Sequence, residues 1–354
     1  MPPRLGGVPP LRRPPGCIWY WHAESLIASI SATPLALLIG LNNMVTPNPT
    51  SGAPETPPCV AYATHSGTMF QGTVEDCLAS EALTHLRGEV QLLLTSPPFP
   101  LNRKKKYGNL TGDAYVAWLT ALAPSFSQML APNGSIVMEI GNAWEPGRPT
   151  MSTLSLKALL AFLEGGDLHL CQQFVSHNPA RIPSPAQWVT IERIRVKDSF
   201  TNVWWMSNTE RPKSDNRRVL QPYSESMKKL LKRQSYNAGE RPSGHRVNSE
   251  SFKKDHGGAI PPNVLSFSNT RAYDSYQDYC REHEITPHPA RMPAGLAEFF
   301  IEFLTDPGDI VFDPFAGSNL TGGVAERLGR RWVAVEPIDE YIEGSRGRFQ
   351  PRPL

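Results

Sequence analysis

Ser96-Pro97-Pro98-Phe99 is the stretch whose residue types point most directly to chemistry. It follows an apolar run at 90–94 that predicts a buried β-strand. Two consecutive prolines cannot continue a strand ladder or enter a helix interior, so the chain must turn here. The turn offers a hydroxyl, carbonyls and a flat aromatic ring, which together suit an amino group on a planar ring. Because open α/β sheets bind ligands beyond the carboxyl ends of their strands, this turn is a candidate site.

A second motif lies near the far end of the chain. An apolar strand predicted at 309–312 leads into Asp313-Pro314-Phe315-Ala316-Gly317-Ser318-Asn319, and helical spacing follows at 320–328. The next strand, at 332–335, ends at Glu336. This is one βαβ unit with a glycine in its first turn and an acid after its second strand, the arrangement of a nucleoside site.

The residues of this unit suggest separate roles. Gly317 permits close backbone approach, Glu336 can accept from both ribose hydroxyls, and Phe315 can pack on the ligand. The chain has no G-x-G-x-x-G at this point, so a ligand smaller than a dinucleotide is expected. Two plainer interpretations stay open, since many α/β folds use glycine only for packing and Asp313 can serve as a helix cap or turn acid.

The elements that must position these motifs alternate between strands and helices. This alternation predicts an α/β fold with a parallel sheet. Further strands are predicted at 135–140, 168–177 and 189–196, and helices at 113–130, 154–163 and 294–304.

Composition limits the class of protein. The chain has 354 residues, 40% of them apolar, which is enough for a large core. The net charge of +2 does not by itself indicate nucleic-acid binding. Five scattered cysteines without a Cys-x-x-Cys pair support neither a zinc site nor a disulfide framework. The simplest compartment is the reducing cytoplasm.

Residues 1–65 differ from the rest and are expected to be a disordered or non-native N-terminal extension. The apolar stretch at 25–41 has the character of a signal peptide or membrane anchor, but Pro34 and several serines interrupt it. Residues 46–58 are rich in Pro, Thr and Ser, as linkers are. A non-folding tail is favoured over export or a membrane anchor, with translation starting at Met44 or Met69 as an alternative.

Together the two motifs resemble a known family. Ser-Pro-Pro-Phe after one strand, with Asp-Pro-Phe-Ala-Gly-Ser far downstream, is similar to the amino-methylating DNA methyltransferases, and the motif order matches their circularly permuted β group. The resemblance covers about 69–348. It implies a Rossmann-like sheet, S-adenosyl-L-methionine (SAM) as cofactor, and transfer to N4 of cytosine, because Ser-Pro-Pro replaces the Asp-Pro-Pro-Tyr common in N6-adenine enzymes.

The resemblance also implies positions for cofactor-binding residues. It places Asp313 beside the methionine part of SAM and Glu336 at the ribose. Ser318 and Asn319 complete the loop, although Asn319 departs from the usual glycine. Asn142 and His288 are further candidates, with a turn asparagine and a simple helix start as their plainer interpretations.

The chemistry of amino methylation explains the catalytic turn. The cytosine amine is a poor nucleophile because its lone pair is delocalised into the ring. Hydrogen bonds to the Ser96 hydroxyl and the Pro97 carbonyl favour a tetrahedral nitrogen, and Phe99 can stack on a base flipped out of the duplex. Ring-carbon methylation needs a Pro-Cys nucleophile, which only Pro58-Cys59 in the tail supplies. Two alternatives remain: an N6-adenine enzyme of the same fold, and a non-catalytic DNA-binding protein.

Segments rich in Lys and Arg indicate where the chain is expected to contact DNA. Arg103, Lys104, Lys105 and Lys106 can clamp phosphates beside the flipped base. Residues 198–285, which include Arg217 and Arg218, are assigned to target recognition, and 66–197 with 286–350 to catalysis and SAM binding. Double-stranded DNA is the expected partner. A type II restriction–modification system would add a cognate endonuclease, and close similarity of 95–109 to one family member implies the target CAGCTG.

Overall fold

The computed structural model describes residues 57–100, 110–248, 252–267 and 275–350, which form eleven strands and eight α-helices. The strands are β1 (Cys59–Ala63), β2 (Gly67–Gln71), β3 (Val90–Thr95), β4 (Leu130–Ile140), β5 (His169–His177), β6 (Phe200–Ser207), β7 (Gly239–Glu240), β8 (Arg246–Val247), β9 (Val264–Ser266), β10 (Ile310–Asp313) and β11 (Arg331–Glu336). The helices are α1 (Val74–Ala79), α2 (Gly112–Met129), α3 (Leu154–Gly166), α4 (Glu225–Arg233), α5 (Ser275–Glu282), α6 (Ala294–Leu304), α7 (Leu320–Arg327) and α8 (Asp339–Ser345).

Nine strands form the main sheet in the order β1-β2-β11-β10-β3-β4-β6-β5-β9. Strands β2, β11, β10, β3 and β4 pair with one another in parallel. Strand β6 runs antiparallel to both of its neighbours, β4 and β5. The carboxyl ends of β10, β3 and β4 therefore meet at one edge, together with the amino end of β6.

Successive residues of the strands point to opposite faces of the sheet and pack into two separate hydrophobic cores. Leu93 and Phe312 face a cluster that α2 and α3 cover, whereas Leu92 and Val311 face a cluster that α6 and α7 cover. Strands buried on both faces have near-continuous apolar sequences, as expected for parallel sheets with helices on both sides. The prediction of an α/β sheet is confirmed.

The helix α2 shows how the sequence makes these layers. Its buried side chains recur at helical spacing, so that one face packs on the sheet. They are Tyr115, Leu119, Leu122, Ala123, Phe126 and Met129. Among the residues that the structure describes, no helix is long and apolar enough to cross a membrane.

Two predicted boundaries differ from the structure. β1 lies inside the predicted extension of residues 1–65 and pairs with β2, so that ordered chain begins before residue 65; residues 1–56 lie outside the described part. The predicted target-recognition region, 198–285, includes β6 and β9, which belong to the main sheet. This region is therefore an elaboration of the sheet and not a separate unit.

The strand predicted at 189–196 is wrong. Residues 191–197 are all exposed, and a single π-helical turn occupies Gln187–Ile191. Apolar and charged residues alternate here as in a half-buried strand, but the sheet takes β6 instead. β6 is suited to that central place because Val203, Trp204 and Trp205 fill both cores.

Candidate active site

The two sequence motifs meet at the carboxyl ends of β3 and β10. These neighbouring strands are parallel, with Leu93 opposite Phe312, so Thr95 and Asp313 end side by side. The Thr95 Oγ1 donates to Asp313 Oδ1 at 2.7 Å. Thus the catalytic turn and the glycine-containing turn are directly connected.

Three protein donors satisfy the Asp313 carboxylate. Besides Thr95, the Thr321 hydroxyl donates to Oδ2 at 2.7 Å and the Phe315 amide to Oδ1 at 3.2 Å. Asp313 is 5% exposed, and burial raises its pKa to about 6 despite these donors. The Asp313 side chain lines the cavity described next, and its three hydrogen bonds stabilise the turn that follows β10.

A cavity of about 370 Å³ opens at this edge of the sheet. Its size lies within the range of small-molecule sites, roughly 300–1,000 Å³. Residues from both motifs line it, together with residues of β4, β6 and α8, of the end of β5 and of the loop before α6. The lining includes Ser96, Pro97, Pro98, Phe99, Glu139, Ser176, Asn178, Arg181, Thr201, His288, Asp313, Phe315, Gly317, Ser318, Glu336 and Tyr341.

The catalytic turn is held against the end of β4. The Ser96 Oγ donates to the main-chain carbonyl of Glu139 at 3.3 Å. The Phe99 ring lies on Gly141, where any Cβ would collide with the ring carbons. The glycine after β4 therefore makes room for the Phe99 ring, and Ser96 and Phe99 both line the cavity.

On the other side of the cavity lie Gly317 and Glu336, the two residues that the sequence suggests for a nucleoside site. Gly317 has φ +50°, and a Cβ there would lie 3.1 Å from His288 Nε2, so a side chain is excluded on both grounds. The Glu336 carboxylate accepts from the amides of Gly317 and Ile338, at 2.9 and 3.0 Å. Burial raises the pKa of Glu336 to about 7.

His288 closes this side of the cavity as a neutral ring. Its Nδ1 accepts from the Ala290 amide at 3.3 Å, while its own amide donates to the Tyr276 hydroxyl at 2.7 Å. Burial lowers the pKa of His288. The Tyr341 ring packs edge-on against it at 4.4 Å between centroids. A neutral imidazole with Nδ1 occupied presents Nε2–H as a donor beside Gly317.

Ser318 and Phe315 are also placed at the cavity. Arg348 donates from Nη2 to the Ser318 hydroxyl at 2.8 Å, which fixes the loop. Phe315 packs on α2 through Trp118 and Phe126, with ring centroids 5.6 and 6.5 Å away.

Several cavity residues were not predicted, and among them Glu139, Thr201 and Arg181 bear on the chemistry of the site. Thr201 donates from Oγ1 to Glu139 Oε1 at 2.7 Å, and burial raises the pKa of that carboxyl. Arg181 follows β5 and donates to the Phe200 carbonyl at 3.1 Å. A sequence signal for Glu139 existed, because it is the single acid in an otherwise apolar strand end. Thr201 and Arg181 depended on β6, which the sequence did not reveal.

Asn142 and Asn319 do not line the cavity. The Asn142 amide donates to Asp198 Oδ1 at 3.0 Å and its oxygen accepts from Asn202, so it ties β4 to β6. Asn319, at φ +48°, caps α7 by accepting from the Gly322 amide and donates to the Tyr62 hydroxyl. The prediction that these two residues contact the cofactor is corrected, because their side-chain amides form hydrogen bonds within the protein instead.

Arg217 and Arg218 lie at the opposite edge of the sheet. Arg218 forms an ion pair with Asp306, close to the amino end of β10, at 2.7 Å. Arg217 pairs with Asp215 at 2.7 Å. The structure does not bring either arginine to the cavity, so we assign them to local ion pairs instead of DNA contact. The predicted phosphate clamp Arg103, Lys104, Lys105 and Lys106 lies outside the described residues.

Comparisons with known proteins agree with this geometry. The family model described as DNA methylase matches residues 90–346. Type II methyltransferase M.PvuII of Proteus hauseri is 44% identical over 291 residues, which cover 82% of this chain and 85% of the relative. Type II methyltransferase M.BglII of Bacillus subtilis is 24% identical over 271 residues, covering 72% and 62%.

A solved structure supports the same assignment. The PvuII DNA methyltransferase, described as cytosine-N4-specific, superposes with a TM-score of 0.66 at 37% identity and covers 83% of this chain and 90% of its own. The resemblance inferred from the two motifs is thus confirmed. By its matched family model, its 44%-identical relative and its cavity between the two motifs, this chain belongs to the N6/N4 DNA methylase family.

Proposed function

We propose that this chain transfers a methyl group from SAM to N4 of cytosine in double-stranded DNA. The observation that carries the proposal is that Ser96 and Phe99 of the catalytic turn and Glu336 of the nucleoside unit open into one cavity. Similarity to a cytosine-N4-specific methyltransferase over 83% of the chain supports the choice of N4-cytosine over N6-adenine.

The residues at the β10 end of the cavity fit SAM. Two main-chain amides orient the Glu336 carboxylate, which keeps lone pairs for the hydroxyls of a ribose. Gly317 leaves the space that a nucleoside needs next to His288. When bound here, SAM supplies an electrophilic methyl group.

The residues at the β3 end are suited to hold the acceptor amine. The Ser96 hydroxyl and the Pro97 carbonyl accept from its two N–H groups, which favours a tetrahedral nitrogen with a free lone pair. Positioning of this kind is worth up to about 7–11 kcal/mol of the barrier in well-oriented systems. Because the amine lies inside the duplex, the base must be flipped out, and Phe99 offers its ring as a stacking platform.

Glu139 is the group we assign to the departing proton. Methylation leaves the amino nitrogen with one proton too many, and a buried carboxylate beside Ser96 can accept it. The raised pKa of Glu139 makes it a better base than an exposed acid, and the Thr201 hydroxyl fixes one of its oxygens.

We infer a place for the enzyme in the cell from the same similarities. Its relatives M.PvuII and M.BglII are type II methyltransferases, so a restriction–modification system in the cytoplasm is the proposed setting, with a cognate endonuclease that cuts the same site. The proposed target is CAGCTG, and the target-recognition region at 198–285, without Arg217 and Arg218, is proposed to contact the duplex together with the clamp at 103–106.

Modified-base sequencing of DNA from cells that express the protein tests these proposals together. We expect N4-methylcytosine within CAGCTG, and mass spectrometry of the nucleosides to show no N6-methyladenine. N6-methyladenine as the sole product would overturn the assignment to cytosine. Absence of any methylated base, with DNA binding intact, would point to a non-catalytic DNA-binding protein.

A further inference from the structure

Residues 178–199 connect β5 to β6 and begin at the edge of the cavity. We name this segment the arm. Its two ends are joined by the Asn178 amide, which donates to the Ser199 carbonyl at 2.8 Å. Asp198 near its end accepts from Asn142, directly after β4. Asn178 and Arg181 both line the cavity, so the arm begins where the extruded base must enter.

Four cations on the arm form no ion pair with an acid, although Arg181 is near enough to Glu139 for its charge to act on that carboxyl. Within the described residues, Arg181, Arg193, Arg195 and Lys197 take part in no ion pair. Their hydrogen bonds go to main-chain carbonyls, as from Arg195 Nε to Pro149 at 3.0 Å and from Lys197 Nζ to Pro179 at 2.9 Å. Carbonyl contacts orient a cation without neutralising it, so the charge remains available to an anion.

The two acids of the arm, Glu192 and Asp198, offset only half of its four positive charges, which leaves a net charge of +2. Asp198 is engaged by Asn142, and Glu192 accepts from the Gln187 side-chain amide at 2.8 Å. The arm therefore presents a positive surface beside the cavity. An anion that arrives with the target base is the phosphate backbone of the DNA itself.

Exposed aliphatic side chains alternate with these cations. Ile191, Ile194 and Val196 are 68, 48 and 86% exposed, although their spacing is that of a strand. Alternating cations and aliphatic groups match a nucleic-acid backbone, in which phosphates alternate with the apolar faces of the sugars. An acidic protein partner would satisfy the cations but would not explain why the arm begins at the cavity, where Asn178 and Arg181 line it.

We propose that the arm binds the sugar–phosphate backbone of the duplex beside the extruded base, through Arg181, Arg193, Arg195 and Lys197. The inference rests on the proposed function only in taking DNA as the substrate. It adds a phosphate-binding element to a segment that the sequence assigned to a strand of the catalytic domain.

The salt dependence of duplex binding tests the proposal. Each cation that contacts a phosphate contributes about 0.9 to the slope of log K against log salt. The Arg193 side chain makes no hydrogen bond or ion pair with the described residues, so Arg193→Gln should lower the slope by about 0.9 without a loss of fold contacts. Arg193→Gln/Arg195→Gln/Lys197→Gln should lower it by about 2–3, while the corresponding Arg→Lys changes at 193 and 195 retain it.

A matched control and a second readout keep the outcome clear. Arg87 is an exposed arginine at the amino end of β3, on the opposite edge, so Arg87→Gln should leave the slope unchanged. SAM affinity, measured by calorimetry, should stay within about twofold in every variant. Binding is measured on duplexes with and without CAGCTG, and the loss should be equal on both.

Three results would overturn the arm assignment: an unchanged slope in the triple variant, an equal loss in Arg87→Gln, or a loss confined to the CAGCTG duplex. None of these depends on which base is methylated. A wrong assignment of the methylated base would instead appear as a different product, with the salt slopes as expected.

Discussion

The Thr95 hydroxyl donates a hydrogen bond of 2.7 Å to the Asp313 carboxylate and so joins two motifs that are 218 residues apart in the chain. Thr95 directly precedes the catalytic Ser96, and Asp313 begins the turn that carries Gly317. Under the proposed function, the bond fixes the position of the acceptor amine relative to the methyl donor. A displacement of about 1 Å between such groups can cost on the order of 10²-fold in rate.

Thr95→Val should lower both stability and the rate of methyl transfer. The variant leaves a buried carboxylate with one donor fewer, which costs about 1–3 kcal/mol of unfolding free energy. Thr321→Val is the matched control because it removes the other hydroxyl from Asp313 without touching the catalytic turn. Urea unfolding should show similar losses for both, whereas single-turnover rates should fall far more in Thr95→Val. Equal rates would contradict the positioning role.

Ser96→Ala should slow methyl transfer by about 10²–10³-fold, the range found when one preorganised hydrogen-bonding group is removed from an active site. SAM affinity should stay unchanged because Ser96 lies at the far end of the cavity from Glu336. Transfer of a radiolabelled methyl group and calorimetric SAM binding measure the two quantities. Ser96→Thr, which keeps the hydroxyl, should retain more activity, and a parallel loss of SAM binding would refute the assigned role.

Gly141→Ala should weaken duplex binding as much as Phe99→Ala does. The new methyl group would displace the Phe99 ring, and loss of one base–aromatic stack costs about 1–3 kcal/mol. The double variant should show no further loss, since both changes remove the same contact. Fluorescence anisotropy with a labelled duplex provides the affinities; additive losses would show that Gly141 acts in another way.

SAM affinity should increase as pH rises from 6 to 8. The pKa of Glu336 is raised to about 7, so below that pH the side chain is largely protonated and loses acceptor capacity for the ribose hydroxyls. The affinity should fall by up to about tenfold for each pH unit below 7. Glu336→Gln should bind weakly with a flat profile; a persistent slope in that variant would locate the titration at another group.

The same group acts oppositely on the free enzyme. Because burial raises its pKa from the model-peptide value of about 4.5 to about 7, Glu336 favours the folded state most below pH 4.5, and this contribution is lost as pH rises through 7. Chemical denaturation of the SAM-free protein across this range should show a smaller pH-dependent loss in Glu336→Gln than in the unchanged protein.

Glu139→Gln should reduce the rate of methyl transfer by about 10²–10⁴-fold, the usual contribution of a positioned acid or base. The substituted amide keeps an oxygen for the Thr201 hydroxyl, so the strand ends should remain in place. Thr201→Val is the companion variant, expected to lower the rate less because the carboxylate remains. Rates measured at saturating SAM and DNA check this, and an unimpaired Glu139→Gln would exclude Glu139 as the base.

The sequence predicted those site residues whose position depends on a strand end alone. Ser96, Gly317 and Glu336 each follow an apolar strand, and parallel strands bring such ends to one edge. Asn142 and Asn319 satisfy the same rule, yet the structure uses them for a strand tie and a helix cap. A short polar side chain at a turn has many local partners, so its type does not identify a ligand contact.

The site residues whose position depends on β6 could not be predicted from the sequence. Thr201 and Arg181 reach the cavity only because an antiparallel strand enters the sheet beside β4. The pattern at 189–196 favoured a strand there, and β6 followed a few residues later. Strand propensity expresses fit to a half-buried surface, so two adjacent segments of similar pattern compete, and only packing decides between them.

The position of the last two strands matters for how the protein is made. β10 and β11 follow all the other described strands in the chain, yet they lie between β2 and β3 in the middle of the sheet. A ribosome-bound chain therefore holds a sheet whose centre is still missing, and such long-range pairing is slow to form. Without β10, Asp313 cannot hold the turn at Ser96 through Thr95, and the proposed nucleoside site at Gly317 and Glu336 cannot form. A growing chain thus cannot complete this cavity until β10 and β11 have docked.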